Sequence, residues 1–264
     1  MDMDIYKFEG GRVLEASKSL SRALELLVHW RDRPTVTLDE LVAVTGWPKT
    51  TVHRLVTSLV SAGLLAPGTE GYGYRLGLTW LEYGQLVADR LDIRAISLPL
   101  MKQLCDEVDE AVNLVVADGD EAIYIEKVDC NHPVRVYTRV GRRAPLYAGA
   151  CPRILLAYKS DEEIESYLQR VDLKAYASRT LTDRDKLISV LRESRRKGYT
   201  VSYAELEEGT AAIGLPIFDH RGQCVAGLSL AGPDTRFQEK DIPVLLAAAR
   251  RTAEEISKSL GYKR

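Results

Sequence analysis

The sequence has no apolar run approaching the ~20 residues that cross a bilayer as a helix, so a membrane protein is not expected. The N-terminal stretch MDMDIYKFEGGRVLEAS lacks the basic start and apolar core of a signal peptide. The four cysteines are scattered and form no CxxC pair, which is typical of reduced thiols. We therefore expect a cytoplasmic protein with a flexible tail over residues 1–16.

Motifs for metal and nucleotide chemistry are also absent. The patterns GxGxxG and GxxxxGK[ST] do not occur, and no HExxH motif or histidine-rich pair is present. No cofactor or metal is therefore expected. Internal repeats and low-complexity tracts are lacking too, which leaves an ordinary globular chain of 264 residues, long enough for two domains.

The chain also lacks an overall excess of basic charge. Its 36 Lys and Arg residues face 38 Asp and Glu residues, for a net charge of −2. Any interaction with nucleic acid must therefore come from where the charge sits. Between Glu40 and Glu70 the sequence contains no acid at all.

Two short helices are predicted over residues 38–65, which include most of this acid-free stretch. Leu38, Leu41 and Val42 have helical spacing, and acids occupy the first turn of the helix, where its dipole favours them. Gly46 suits a left-handed C-cap, and Pro48 prevents the same helix from continuing. The pattern of helix, glycine-containing turn and helix predicts a helix-turn-helix.

The second helix divides into an apolar face and a polar face. The apolar positions are Val52, Leu55, Val56, Leu59 and Val60. The opposite face carries only cations, hydroxyls and one imidazole, which suits the major groove of DNA. The alternative interpretation is a polar-faced helix in an ordinary α-helical domain. The predicted DNA contacts lie in its first turns: Lys49, Thr50, Thr51, His53 and Arg54, the last of which could bind a base or a phosphate.

A hairpin and a preceding helix complete this domain, predicted over residues 17–77. The glycine-rich stretch APGTEGYGYRLG indicates a β-hairpin, a wing in which Arg75 would contact phosphate or the minor groove. Leu20, Leu24, Leu27 and Val28 predict the first helix, opened by Ser17 or Ser19 as a cap. Three helices and a wing form a winged helix-turn-helix.

The chain resembles the IclR-type bacterial transcriptional regulators. The matching stretches are SLSRALELL, TLDELVAVTGWPKTTVHRLVTSLVSAGLL, YGYRLG, GRRAPLYAGACPRILLAY and EGTAAIGLPIFDHRGQCVAGLSLAGP. The resemblance implies an N-terminal domain that binds double-stranded promoter DNA, a linker helix and a C-terminal domain that binds a small-molecule effector. It also implies homodimers or tetramers.

The rest of the chain predicts a linker helix over residues 78–93 and an α+β domain over residues 94–264, so the whole chain is α+β. Leu78, Leu81, Leu86 and Leu91 of the linker could pair with a second copy. Strands are predicted in AVNLVVADG and EAIYIEKVD around a Gly119–Asp120 turn, and in VRVYTRVG, TVSYAE, IGLPIFD and CVAGLSLAG. The resemblance implies that these strands form a GAF-like sheet with helices on both sides.

The resemblance also implies an effector pocket beside the loop at residues 146–153. Backbone donors carry over to Ala150 and Cys151, although Pro152–Arg153 replaces the usual Gly–Lys and removes one N–H. The remaining predicted pocket residues are Ser202, Tyr203, Ala212 and Ser229. In relatives that bind small keto acids the position of Ser202 holds a carboxylate and that of Ala212 a cysteine, and only the hydroxyl of Ser229 is retained. We therefore expect a carboxylic effector that is more apolar than those keto acids, or aromatic, and we expect Tyr203 to line part of the cavity.

Three interpretations compete at this stage. A ligand-responsive transcription factor is favoured by the winged helix-turn-helix and the pocket-like loop. One alternative is a structural DNA-binding protein whose second domain only oligomerises, and the other is a thiol enzyme that uses Cys151 with His132 as its base. Arg142 and Arg143 could anchor a carboxylate, but surface arginines in a turn is the favoured interpretation.

Overall fold

The structure is a computed structural model that describes residues 17–68, 71–89, 92–133 and 135–263. The tail predicted over residues 1–16 lies outside the described residues. The chain divides into two compact units between Val87 and Ala88. Among the described residues, no helix combines the length and the apolar character that spanning a membrane requires.

Three helices form the body of the N-terminal unit: α1 at Lys18–Leu27, α2 at Leu38–Thr45 and α3 at Lys49–Ser61. A capping box opens α2, in which the Thr37 hydroxyl accepts from the Glu40 N–H and the Glu40 carboxylate accepts from the Thr37 N–H. Gly46 ends α2 with φ +67°, as predicted for a left-handed C-cap. The two helices and the turn between them are therefore set by local signals.

The core of this unit takes one face from each helix. Leu26, Leu41, Val52 and Val56 are almost completely buried, so the apolar face predicted for the second helix is confirmed in α3. The first helix is confirmed, but of the four apolar residues that predicted it only Leu27 packs against this core. Three of those residues are exposed: Leu20, Leu24 and Val28.

The wing consists of strands β1 (Leu65–Pro67) and β2 (Tyr74–Leu76), which pair antiparallel. A bridge between Val36 and Tyr74 ties the hairpin to the chain before α2. The Trp30 indole N–H donates to the Tyr74 carbonyl at 2.7 Å, which fixes the wing to the end of the first helix. The fold of the unit is the predicted winged helix-turn-helix.

Two helices follow, α4 at Thr79–Asp89 and α5 at Asp92–Val108. Residues 90–91 and the side chain of Leu91 lie outside the described part of the chain. Pro99 sits inside α5. The linker helix predicted over residues 78–93 thus corresponds to α4 and the start of α5.

The C-terminal unit is built on a six-stranded antiparallel sheet in the order β5-β4-β3-β8-β7-β6. Its strands are β3 (Ala111–Asp118), β4 (Glu121–Val128), β5 (Arg143–Pro145), β6 (Thr200–Tyr203), β7 (Thr210–Phe218) and β8 (Cys224–Pro233). The strand predicted in VRVYTRVG is wrong for residues 135–139, which form no strand, while Val134 lies outside the described residues. Apolar and polar residues alternate in that stretch as in a strand, but among the described residues no neighbouring strand pairs with it.

Helices cover both faces of the sheet. On one face lie α5 and α9 (Ile242–Ser259); on the other lie α6 (Ala150–Ala157), α7 (Asp161–Arg170) and α8 (Arg184–Lys197). Helix α6 packs unusually close, because a Cβ added at Gly214 would lie 2.6 Å from the Ala150 carbonyl oxygen. A Cβ at Gly227 would lie 2.8 Å from the Cys151 sulfur. Glycines on β7 and β8 therefore bring the start of α6 down onto the sheet.

Candidate functional site

The first candidate surface is the exposed face of α3. Lys49, Thr50, His53 and Arg54 are exposed there, whereas Thr51 is half-buried. All thirteen residues of this helix are described, and none is acidic. The apolar side of α3 is held in the core, so this face is presented to solvent as the sequence predicted.

One acid does approach this face from a neighbouring helix. The Lys49 ammonium lies 2.7 Å from the Asp39 carboxylate of α2. Both side chains are mostly exposed, 63% and 80% respectively, so the pair contributes little and can separate at low cost. Sequence inspection missed this contact because Asp39 lies ten positions before Lys49 and precedes the acid-free stretch.

Arg75 and Trp47 frame the surface. Arg75 is exposed on the wing, and its Nε donates to the Pro67 carbonyl at 3.2 Å, which anchors the side chain across the hairpin. Trp47 packs against the core of the unit with the Arg22 guanidinium 5.1 Å from its ring centroid. Trp47 thus packs the turn before α3 against the core.

The second candidate site is a cavity of about 50 Å³ between the sheet and α6. It gathers five of the six predicted effector-binding residues from four separate elements: Ala150, Cys151, Ser202, Ala212 and Ser229. The lining also includes residues that sequence reasoning did not single out: Asn113, Tyr124, Thr138, Glu205 and Glu207. Asn113 could have been predicted from the sequence, because it is a polar residue inside the apolar run AVNLVVAD.

Tyr203 does not line the cavity, and that prediction is wrong. Its hydroxyl donates to the Phe237 carbonyl at 2.9 Å, and its ring packs on the side of the sheet covered by α5 and α9. Successive side chains of a strand point to opposite faces, so Ser202 and Tyr203 cannot both face α6.

Two backbone donors at the start of α6, those of Gly149 and Ala150, already have partners. The Ala150 N–H donates to the Ser202 hydroxyl at 3.0 Å, and the Gly149 N–H donates to the Glu205 carboxylate at 3.0 Å. The positive end of the helix is thereby occupied by a carboxylate and a hydroxyl of the chain itself. The loop therefore offers a ligand fewer free donors than the sequence suggested.

Arg153, the residue that replaces the usual lysine, forms a buried ion pair with Glu205. Its guanidinium lies 2.5 Å from the carboxylate and also donates to the Thr200 hydroxyl and the Val201 carbonyl. The side chains of Arg153 and Glu205 are 2% and 7% exposed. Each charge therefore depends on the other for compensation.

Backbone strain next to Glu205 makes this pair possible. Ala204 has φ +45°, a left-handed conformation that residues with a side chain rarely adopt. The turn breaks the alternation of β6 and places Glu205 on the same face as Ser202. No sequence pattern predicts the left-handed turn at Ala204, because alanine itself does not favour positive φ.

Arg142 lines the cavity, which corrects the expectation that it is a surface arginine in a turn. Its guanidinium lies 2.7 Å from the half-exposed Glu207 carboxylate and 5.8 Å from the centroid of the Tyr124 ring. Arg143 instead pairs with Asp118 and Glu121 at the edge of the sheet, outside the lining. Only one of the two arginines can meet a ligand in the cavity.

Cys151 has none of the properties of a nucleophile. Burial raises the pKa of its thiol to about 12, against a smaller lowering by a hydrogen bond with Ser229. No histidine lines the cavity in the described part of the chain, and His132 lies 3.1 Å from Asp109 elsewhere. A thiolate here would be unpaired, so the alternative of a thiol enzyme lacks both its nucleophile and its base.

Comparison with known proteins matches both units to one family. The family model for the IclR helix-turn-helix domain matches residues 19–67, and the model described as bacterial transcriptional regulator IclR C-terminal matches residues 85–258. The chain belongs to the IclR family. Accordingly it is a ligand-responsive, DNA-binding transcriptional regulator rather than an enzyme.

Relatives align over nearly their whole length. The HTH-type transcriptional regulator KipR of Bacillus subtilis is 50% identical over 246 residues, which cover 93% of this chain and 98% of KipR. The regulator KdgR of Escherichia coli is 31% identical over 248 residues, 94% of each chain. Both domains of this IclR-family chain therefore have counterparts in one polypeptide.

Solved structures of the family share the fold. The IclR of Thermotoga maritima superposes with a TM-score of 0.74 at 31% identity, covering 92% of this chain and 99% of that one. An IclR homologue from Microbacterium hydrocarbonoxydans, complexed with 4-hydroxybenzoate, gives a TM-score of 0.79 at 27% identity, covering 92% and 98%.

Proposed function

We propose that this IclR-family regulator acts in the cytoplasm as a dimer or tetramer whose α3 helices enter the major groove of promoter DNA. In this proposal a small carboxylic metabolite, bound in the cavity beside α6, changes the affinity for DNA. The observation that carries the proposal is the exposed, acid-free face of α3. Acids on that face would be repelled by the phosphate backbone, and short hydroxyls allow close approach to base edges.

Each side chain of this surface has a proposed role. Lys49, Thr50, Thr51, His53 and Arg54 lie in the first turns of α3, the part of a recognition helix nearest the bases. Lys49 would exchange Asp39 for a phosphate or a guanine, because its present ion pair is exposed and weak. Arg75 would contact the backbone from the wing.

Exposed apolar side chains support self-association. Leu20 and Leu24 are exposed on α1 and Val28 is exposed directly after it, while Leu78, Leu81 and Leu86 are exposed just before and along α4. Contiguous exposed apolar surface commonly marks a protein interface. Two copies would present two recognition helices about 34 Å apart, which matches half-sites separated by one turn of DNA.

The effector is proposed to bind through Arg142. Glu207, its present partner, is 46% exposed and can move into water when a ligand carboxylate replaces it. A cavity of about 50 Å³ suits an acid of a few carbons, since a benzene ring occupies a cavity of roughly 150 Å³. An aromatic acid, such as the 4-hydroxybenzoate bound by the Microbacterium homologue, would require the cavity to expand.

Regulation follows from differential binding. An effector can shift the regulator toward one arrangement of its DNA-binding domains only if it binds that arrangement more tightly. The same coupling must work in reverse, so bound operator DNA would change the affinity for the effector by the same factor.

The DNA-binding proposal is tested by selecting bound duplexes from a random pool and titrating the selected site. Thr51→Ala should cost about 1–3 kcal/mol of binding free energy and change the preferred sequence, because Thr51 is assigned to a base. Arg75→Ala should weaken all sites alike and reduce the salt slope by about one, since Arg75 is assigned to phosphate.

Arg251→Ala is the matched control for the loss of one exposed cation. Arg251 lies on α9 in the C-terminal unit, paired with Glu107, so its removal should change neither site preference nor salt slope. Unaltered operator binding by both Thr51→Ala and Arg75→Ala would refute the assignment of α3 and the wing.

A further inference from the structure

One polar atom of the cavity has no partner. Asn113 lies in the middle of β3 and is only 2% exposed, yet its side-chain oxygen Oδ1 forms no hydrogen bond among the described residues. Buried polar groups in native proteins nearly always find partners, and an unsatisfied one destabilises the fold. An apolar residue in this strand would avoid that penalty.

The orientation of the amide follows from its neighbours. Asn113 sits directly opposite Ser229 in the β3–β8 register, and its Nδ2 donates to the Ser229 hydroxyl oxygen at 3.4 Å. The amide nitrogen therefore faces Ser229, and the amide oxygen is the acceptor without a partner.

The charged side chains elsewhere in the lining are paired within the protein, and one hydroxyl of the lining also has a partner. Glu205 pairs with Arg153, Arg142 pairs with Glu207, and Ser202 accepts from the Ala150 N–H. Among the described lining residues, Asn113 is thus the one whose fully buried side-chain atom has no partner. A ligand that enters the cavity meets this acceptor and needs a donor to satisfy it.

We propose that Asn113 selects an effector with a hydrogen-bond donor, so that the regulator responds to a short hydroxy acid and discriminates against the matching keto acid. The hydroxyl donates to Asn113 Oδ1 while the carboxylate binds Arg142. This inference rests on the proposed function, since it assumes that a small acid binds in this cavity. It also explains why an asparagine stands where an apolar residue would pack without penalty.

The test uses two pairs of acids that differ in one group: lactate with pyruvate, and 2-hydroxybutyrate with 2-oxobutyrate. Affinity for the full chain is measured by isothermal titration calorimetry. The hydroxy acid of each pair should bind at least about fivefold more tightly, the factor that corresponds to one unmade hydrogen bond of about 1 kcal/mol. A keto group cannot donate, so it leaves Oδ1 unsatisfied.

Two variants connect this preference to the side chain. Asn113→Leu should lose the preference while keeping an unfolding temperature at least as high as that of the wild type. Ser97→Ala is the control, since Ser97 Oγ on α5 is also buried without a partner but does not line the cavity. Its preference between the acids of each pair should be unchanged.

The outcomes separate this inference from the proposed function. Tighter or equal binding of the keto acids, or an unchanged preference in Asn113→Leu, overturns the role of Asn113 and leaves a small-acid effector standing. Absence of binding by all four acids overturns the small-acid effector itself and the hydroxy-acid inference with it. Because the first measurement uses the wild-type chain, the inference remains falsifiable even if Asn113→Leu does not fold.

Discussion

Replacing Arg153 by methionine should destabilise the C-terminal unit far more than removing an arginine from its surface. The guanidinium is buried beneath the start of α6, where it binds Glu205, Thr200 and the Val201 carbonyl. In Arg153→Met the Glu205 carboxylate stays buried but keeps only the Gly149 N–H as a described partner. A buried charge without its counterion is one of the most destabilising changes that a single substitution can make.

The expected magnitude comes from the burial of the pair. Removing one partner of a buried ion pair costs about 3–5 kcal/mol, whereas exposed pairs contribute about 0–1 kcal/mol. Arg251→Met is the matched control, because Arg251 and Glu107 form an exposed pair on the same unit, with side chains 59% and 52% exposed. The double variant Arg153→Met/Glu205→Leu should be more stable than Arg153→Met alone, since no charge is left buried.

The positions of the tryptophans allow the unfolding of the two units to be followed separately. Its three tryptophans, Trp30, Trp47 and Trp80, all lie in the N-terminal unit, so their fluorescence reports the unfolding of that unit. Urea unfolding followed by far-UV circular dichroism reports both units. We expect Arg153→Met to shift the dichroism transition to lower urea while the fluorescence transition moves much less.

Two results would refute this reasoning. A loss below about 1 kcal/mol for Arg153→Met would mean that the pair behaves like an exposed one. Additive effects of Arg153→Met and Glu205→Leu in the double variant would mean that the two charges are not coupled.

Two further predictions concern the same site. Ala204→Gly should stabilise the chain by up to about 1 kcal/mol in urea unfolding, because glycine adopts φ +45° without steric cost; destabilisation would contradict the strain at Ala204. Burial raises the pKa of Cys151 to about 12, so about one thiol in ten thousand is ionised at pH 8, and iodoacetamide should label it only after unfolding. Rapid labelling of native Cys151, measured by peptide mass spectrometry, would contradict its burial.

The DNA-binding unit was predictable because its signals are local. Helix caps, the apolar period of α3 and the turn at Gly46–Pro48 depend on residues within a few positions of one another. Such signals act on the backbone whatever surrounds them. The exception is α1, which was predicted correctly as a helix although Leu20, Leu24 and Val28 of its apolar stripe are exposed and Leu26 supplies the fully buried side chain.

Predictions failed where a strand or a side chain depends on a distant partner. Residues 135–139 alternate like a strand but find no neighbour to pair with. Tyr203 was assigned to the cavity, yet the pleat of β6 turns it toward α5 and α9. Arg142 was read as a surface residue, since nothing in its neighbourhood shows that Glu207 and Tyr124 lie beside it.

The sequence by itself determined the class of the protein, the winged helix-turn-helix and most elements of the second unit, because these follow from periodicity, capping and turn residues. Only the tertiary structure decided what the cavity is made of. Asn113 and Ser229 are separated by 116 positions, and Glu205 reaches α6 through one strained residue. Hydrogen bonds between such positions exist only after the sheet has assembled, so no local pattern can encode which polar atom is left without a partner.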